Sequence, residues 1–207
     1  MTQLNLRMEP LADQSLAPVA NALALAFHTE TAPRDRADAA AQEWRAMLER
    51  EATDGRLDRS RSHVMWMDQR LVGASLVNTL ALGEAGLVGR IGATGVVPAA
   101  RRLGIGGKLV RACLDSLSDV PHVTLEVGVE NTAAQTLYAQ LGFRRGRGMR
   151  VLTVRRSDLV SRGPLTAHRT EPRVAFEAIA ALHSEVPAFQ RRREYVQSFS
   201  GGLIAHQ

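Results

Sequence analysis

The chain has 207 residues, 45% of them hydrophobic and 23% charged, a composition that excludes a disordered segment. A single cysteine, Cys113, excludes an internal disulfide and any cysteine-based zinc cluster, and no apolar run approaches the roughly 18 residues of a membrane span. The net charge of +5 rests almost wholly on arginine, Lys108 being the only lysine; with acidic residues interspersed and aromatics at only 4%, this favours an anionic small ligand over a nucleic-acid surface.

The opening residues, Met1 to Pro10, carry no basic stretch leading into an apolar one, so a cytoplasmic chain with no membrane partner is the expectation. Leu4 to Met8 alternates and predicts a strand. Leu16, Val19, Leu23 and Phe27 recur at helical spacing within a helix over 13–28, and a break at Pro33 separates it from a second helix over 37–51 bearing Trp44, Met47 and Leu48. Strands are predicted at His63 to Met67 and Leu71 to Leu82 about a turn at Asp68-Gln69-Arg70, and at Leu87 to Val97, stopped by Pro98. Ile105, Leu109, Ala112 and Cys113 mark a helix over 104–118. A strand over 122–129, a helix over 132–141 closed by Gly142, and a strand over 150–155 follow. This order predicts an α/β (α+β) fold with a mixed, mostly antiparallel central sheet and helices on both faces.

Two domains are expected, residues 1–156 and a C-terminal extension over 157–207. Prolines 164, 172 and 187 punctuate the extension, with helices over 175–183 and 189–199 and a short strand over 202–206. Two readings stay open: an arm packed on the domain or on a second subunit in a homodimer, and a truncated second copy of the same fold, which at this length is too short to close its own core.

The segment from Val96 to Lys108 carries the chemistry. It runs strand, proline stop, basic pair, glycine-rich turn, helix. A helix start exposes unpaired N–H groups and a partial positive charge, and glycines let a phosphate approach the backbone. Arg101, Arg102 and Lys108 add charged donors. A dinucleotide fingerprint requires glycine at 109, and a P-loop requires glycine at 102 and a hydroxyl residue at 109; Arg102 and Leu109 exclude both. What remains is Arg-x-x-Gly-x-Gly, spelled Arg101-Arg102-Leu103-Gly104-Ile105-Gly106.

This hexapeptide resembles the acetyl-CoA loop of the GCN5-related N-acetyltransferase (GNAT) family. The stretch from Thr124 to Phe143 is similar to that family's following strand and helix, above all in the branch that acetylates N-terminal amines of ribosomal proteins. The resemblance spans about residues 4–155 and is specific between Val96 and Phe143. It implies an acyl-CoA-dependent N-acetyltransferase, acetyl-CoA as cosubstrate, no metal, and a small-molecule or peptide amine as acceptor.

Carried over by residue, the resemblance implies that Val96 and Val97 offer backbone bonds to the pantetheine arm. Arg101, Arg102, Gly104, Ile105, Gly106 and Gly107 would form the pyrophosphate loop, Asn131 would bond the arm or fix the splay of two parallel strands, and Tyr138 would face the sulfur. Family members often carry glycine where this chain has Arg102, so the turn must accommodate a side chain. Asn131 also suits a helix N-cap, and Tyr138 lies on the apolar stripe of its helix. Glu126 matches a proposed base of the ribosomal-protein branch and is equally an ordinary polar-face strand residue; His28, Glu30, His63, Glu84, His122 and a water chain remain alternatives. A phenol of pKa about 10 protonating a thiolate of about 8.5 is uphill by roughly 2 kcal/mol, so Tyr138 is expected to stabilise the leaving thiolate by hydrogen bonding. Two other readings compete: an acyl-CoA-binding regulatory module without catalysis, and an arginine-rich nucleic-acid-associated protein.

Overall fold

The structure, a computed structural model, describes residues 5–12, 14–27, 34–81, 87–146, 167–169 and 204–206. It divides into two compact units, 1–137 and 138–207. In chain order the elements are strand β1 (Leu6–Pro10), helices α1 (Leu16–Phe27) and α2 (Arg34–Thr53), strands β2 (His63–Met67), β3 (Arg70–Ala81) and β4 (Leu87–Val96), a 3-10 turn (Pro98–Ala100), helix α3 (Ile105–Ser116), strand β5 (His122–Leu125), helix α4 (Thr132–Gln140) and strands β6 (Ala167–Arg169) and β7 (Ile204–His206). In the second unit β6 and β7 pair antiparallel, Ala167 opposite His206. The strand expected over 202–206 is therefore present as Ile204–His206. The strand expected over 150–155 and the helices over 175–183 and 189–199 lie outside the described residues.

The first unit is a five-stranded sheet in the order β1-β2-β3-β4-β5. The first four strands are antiparallel neighbours, and β5 joins β4 in parallel. Side chains alternate across a strand, so each strand feeds two cores. On one face Val64, Ala74 and Leu76 pack with Val19 and Leu23 of α1 and Leu48 of α2. On the other, Met65 and Val72 pack with Ile105 and Leu109 of α3. The mixed sheet with helices on both faces is the architecture the element order predicts.

Two irregularities shape the far end of the sheet. Between Ser75 and Val77, β4 runs from Thr94 to Ile91, one residue more than its partner, which is a β-bulge at 92–93. The parallel ladder to β5 runs only from Val88 opposite His122 to Ile91 opposite Leu125. Past the bulge the two strands part. The strand expected over 122–129 thus ends at Leu125, because β4 turns away from it there.

Under α3, Cys113 is fully buried, its Sγ 3.6 Å from Ser75 O and 3.8 Å from His63 Nδ1. Burial pushes its thiol up to about 11, opposed by the contacts with Ser75 and His63. At pH 8 the thiolate fraction is then about one part in a thousand. Native protein is expected to take up no iodoacetamide at pH 8 over an hour, and one equivalent in denaturant. Mass spectrometry checks this; rapid native labelling would place the thiol at the surface.

Candidate active site

The glycine-rich segment folds as strand end, 3-10 turn, tight turn and helix. Two residues of the tight turn take left-handed backbone, Arg102 at φ +67° and Gly104 at φ +72°. Gly104 is the N-cap of α3, and its carbonyl accepts the first helical bond, from Lys108 N–H at 3.1 Å. The N–H groups of Ile105, Gly106 and Gly107 precede that bond, in the turn where a helix offers no carbonyl partner. Ile105, buried to 1%, and Leu109, at 0%, pin this turn to the core, while Arg102, Leu103 and Lys108 are exposed. A Cβ on Gly106 or Gly107 would meet Leu137 of α4 at 3.7 or 3.3 Å, so α4 packs closely against the start of α3.

Arg102 is the departure already marked in the sequence, and its left-handed backbone explains why glycine suits the position. Left-handed conformation costs a residue with a Cβ roughly 1–2 kcal/mol. Arg102→Gly is expected to raise Tm by about 2–4 °C. Thermal melts of the two proteins check it; a lower Tm would show that the guanidinium contributes more than the strain costs.

The side chain of Arg101 engages two main-chain carbonyls. Nε donates to Val96 O at 3.2 Å and Nη2 to Ala26 O at 2.9 Å. It therefore ties the end of β4 to the last turn of α1. Its own N–H donates to Pro98 O at 3.2 Å.

Val96 and Val97 differ in what they can offer. Val97 N–H donates to Val72 O at 2.9 Å and belongs to the β3 side of the ladder. Val96 stands opposite Gly73, one step along. In an antiparallel pair such alternate residues direct N–H and C=O to the other edge. Val96, and Thr94 two residues before it, thus face the side from which β5 has parted. Gly95 lies between them with its Cα against α1: a Cβ there would be 2.8 Å from Ala26 Cβ.

Glu126 is the first residue past the parallel ladder. Its Oε2 lies 3.5 Å from Arg90 Nη2, and its side chain is 33% exposed. Asn131 is the N-cap of α4: its Oδ1 accepts the N–H of Ala134 at 3.1 Å, and its own N–H donates to Gly128 O at 3.0 Å. Tyr138, in the last turn of α4, packs edge-on against Phe143 at 5.9 Å between ring centroids, and its carbonyl accepts the N–H groups of Leu141 and Phe143. Of the other base candidates, His63 lies under α3 beside Cys113, its pKa lowered chiefly by burial, and His122 opens β5. His28, Glu30 and Glu84 lie outside the described residues.

Sequence reasoning missed Arg90, Asn78 and Gly95. The first two are polar residues inside strands otherwise built of apolar and small ones, a signal that was legible. Among the described residues no group of three or more His, Cys, Asp or Glu side chains could hold a metal ion, and no helix is long and apolar enough to cross a membrane.

The glycine-rich helix start and the parted parallel strands place the chain in a known class. The sequence model of the Acetyltransferase (GNAT) family matches residues 21–143, so the chain belongs to the GNAT family and is an acyl-CoA-dependent acetyltransferase. None of the functionally curated proteins matches it by sequence. Among solved structures it is similar to PH1933 from Pyrococcus horikoshii OT3, with 19% identity over 70% of this chain and 92% of that one and a TM-score of 0.57. It is also similar to Arabidopsis thaliana Naa50, there in complex with the bisubstrate analogue CoA-Ac-MVNAL, with 19% identity over 69% and 85% and a TM-score of 0.50. A third is glucosamine-6-phosphate N-acetyltransferase from Arabidopsis thaliana, with 15% identity over 72% and 98% and a TM-score of 0.52. At these identities the likeness is one of fold.

Proposed function

We propose that this chain moves the acetyl group of acetyl-CoA to a primary amine by direct attack, with Glu126 as base. The observation that carries the reading is the continuity between two features. The edge of β4 at Thr94 and Val96, which no described strand covers, leads within a few residues into the N–H groups at the start of α3. An extended pantetheine arm fits the edge as a strand would, and a pyrophosphate fits the helix start. Acetyl-CoA supplies an activated acyl carbon and a thiolate leaving group.

The chain's own residues account for the remaining requirements. The Val96 N–H is suited to polarise the acyl oxygen as charge builds on it. Glu126, at the fork of the strands, is suited to accept the ammonium proton, since only the neutral amine attacks. Tyr138 is suited to donate a hydrogen bond to the departing sulfur. The spacing of Glu126 and Tyr138 within the motif resembles the ribosomal-protein branch and favours a peptide N-terminus as acceptor.

Calorimetric titration with acetyl-CoA tests the donor half, and absence of binding would sink the reading. A free-thiol assay across alanine-, serine- and methionine-initiated tetrapeptides, glucosamine 6-phosphate and an aminoglycoside tests the acceptor half. Acetyl-CoA binding with no turnover on any amine would favour a regulatory module instead.

A further inference from the structure

We infer that Arg90 is a positioning residue for Glu126, a largely buried guanidinium that aims the carboxylate at the point where β4 and β5 part. The inference rests on the reading of Glu126 as the base. Arg90 stands opposite Thr124 in the parallel register, and Glu126 is two residues further along the same face. Ile91 opposite Leu125 is the last pair of the ladder. Glu126 is therefore the first residue past that ladder, and the guanidinium of Arg90 reaches its carboxylate from within the pairing.

Arg90 is itself held by Asn78. Asn78 faces it across the antiparallel pair, and Asn78 Oδ1 accepts from Arg90 Nη1 at 3.3 Å. The Asn78 amide has no rotational choice: its Nδ2 donates to Arg56 O at 2.8 Å and to Glu51 Oε2 at 3.2 Å, which leaves the oxygen for the guanidinium. Asn78 is only 3% exposed. Gly92 provides the space, since a Cβ there would lie 3.2 Å from both Arg90 Nη1 and Asn78 Oδ1. A chain of polar contacts thus runs from the end of α2 through β3 and β4 to Glu126.

Stability alone does not account for this arrangement. Among the described residues Arg90 Nε is buried without a hydrogen-bond partner, which costs stability. A buried charge is also commonly matched or bettered by an apolar side chain of similar size. The contact with Glu126, at 3.5 Å, is long and the carboxylate stays a third exposed. That suits a group that is oriented and still reachable by an amine.

The test uses the full chain, with Arg90→Gln, Arg90→Lys, Gly92→Ala, Glu126→Gln and the Arg90→Gln/Glu126→Gln double variant. Kinetics are measured with acetyl-CoA and the panel amine turned over fastest, and acetyl-CoA Kd by calorimetry. Arg90→Gln is expected to lower kcat about tenfold, a misplaced rather than missing base, with Kd within twofold. Arg90→Lys restores most of the loss, and Gly92→Ala, which keeps the charge but crowds it, falls between. On a Glu126→Gln background Arg90→Gln has no further effect. Wild-type kcat in Arg90→Gln, or losses that multiply in the double variant, would overturn the inference. Crystal structures decide it independently of turnover. One Glu126 conformer in the wild type, lost in Arg90→Gln, supports it, and an unchanged carboxylate overturns it. Wild-type kcat in Glu126→Gln would instead remove the base reading and leave the crystallographic result to decide the positioning.

Discussion

Glu126→Gln is expected to lower kcat about 100-fold, at the lower end of what a positioned base contributes, while the Kd for acetyl-CoA stays within twofold. The substitution keeps the size of the side chain and removes its capacity to take a proton. Glu126 shares its face of the sheet with Arg90 and Asn78, the face that packs on α1 and α2. The glycine-rich turn instead leads into α3, on the opposite face. The N–H groups proposed to hold the pyrophosphate and the carboxylate proposed to take the proton thus belong to different elements, and one can be altered without the other. Steady-state kinetics and calorimetry on the same preparation check both halves. A kcat within threefold of wild type would remove Glu126 from the reaction.

Gly95→Ala is expected to lower Tm by about 4–8 °C, an overpacking cost of about 2 kcal/mol. The added Cβ would stand 2.8 Å from Ala26 Cβ and 3.2 Å from Leu23 Cδ2 and Phe27 Cε2. Leu23 and Phe27 can rotate, but the Cβ of Ala26 has no rotamer to change, so the last turn of α1 must move as a body. That turn is tied through Arg101 to the carbonyl of Val96. The displacement should therefore reach the free edge of β4 and lower acetyl-CoA affinity as well. Gly146→Ala, whose Cβ would meet nothing within 4 Å, is the control and should melt with the wild type. Equal melting of Gly95→Ala and wild type would mean that α1 yields freely at this contact.

The fold was legible where periodicity is unambiguous. The stripe of Ile105, Leu109 and Cys113 and the hairpin about Asp68 translate directly into α3 and the β2-β3 pair. The glycine-rich turn was legible because glycine and arginine there answer a local demand of backbone and charge. The early end of β5 was not, since Val127 and Val129 continue the alternation and the strand stops where its pairing with β4 ends. Pairing partners are tertiary facts. For the same reason the sequence treats Val96 and Val97 alike, although one faces β3 and the other the free edge. Of the two roles read for Asn131, one distance, 3.1 Å from its Oδ1 to Ala134 N, establishes the cap. Arg90 was visible as a charge inside a strand, but its orientation needed Asn78 and Gly92, both remote from it in any local window.

The parting of β4 from β5 also bears on how the protein should be handled. A strand with unsatisfied main-chain groups is a template for another chain, and natural sheets usually blunt such edges with charge, proline or cover. Here the residues beyond the bulge, Gly92 to Val96, offer small and apolar side chains and no charge, with Pro98 two positions past the strand. Among the described residues no strand covers that side of β4, and an edge suited to an extended ligand is equally suited to a second copy of the chain. Excess acetyl-CoA or CoA during purification should therefore suppress aggregation as well as raise Tm, and at a hundredfold over Kd the added stability would be about 2.7 kcal/mol.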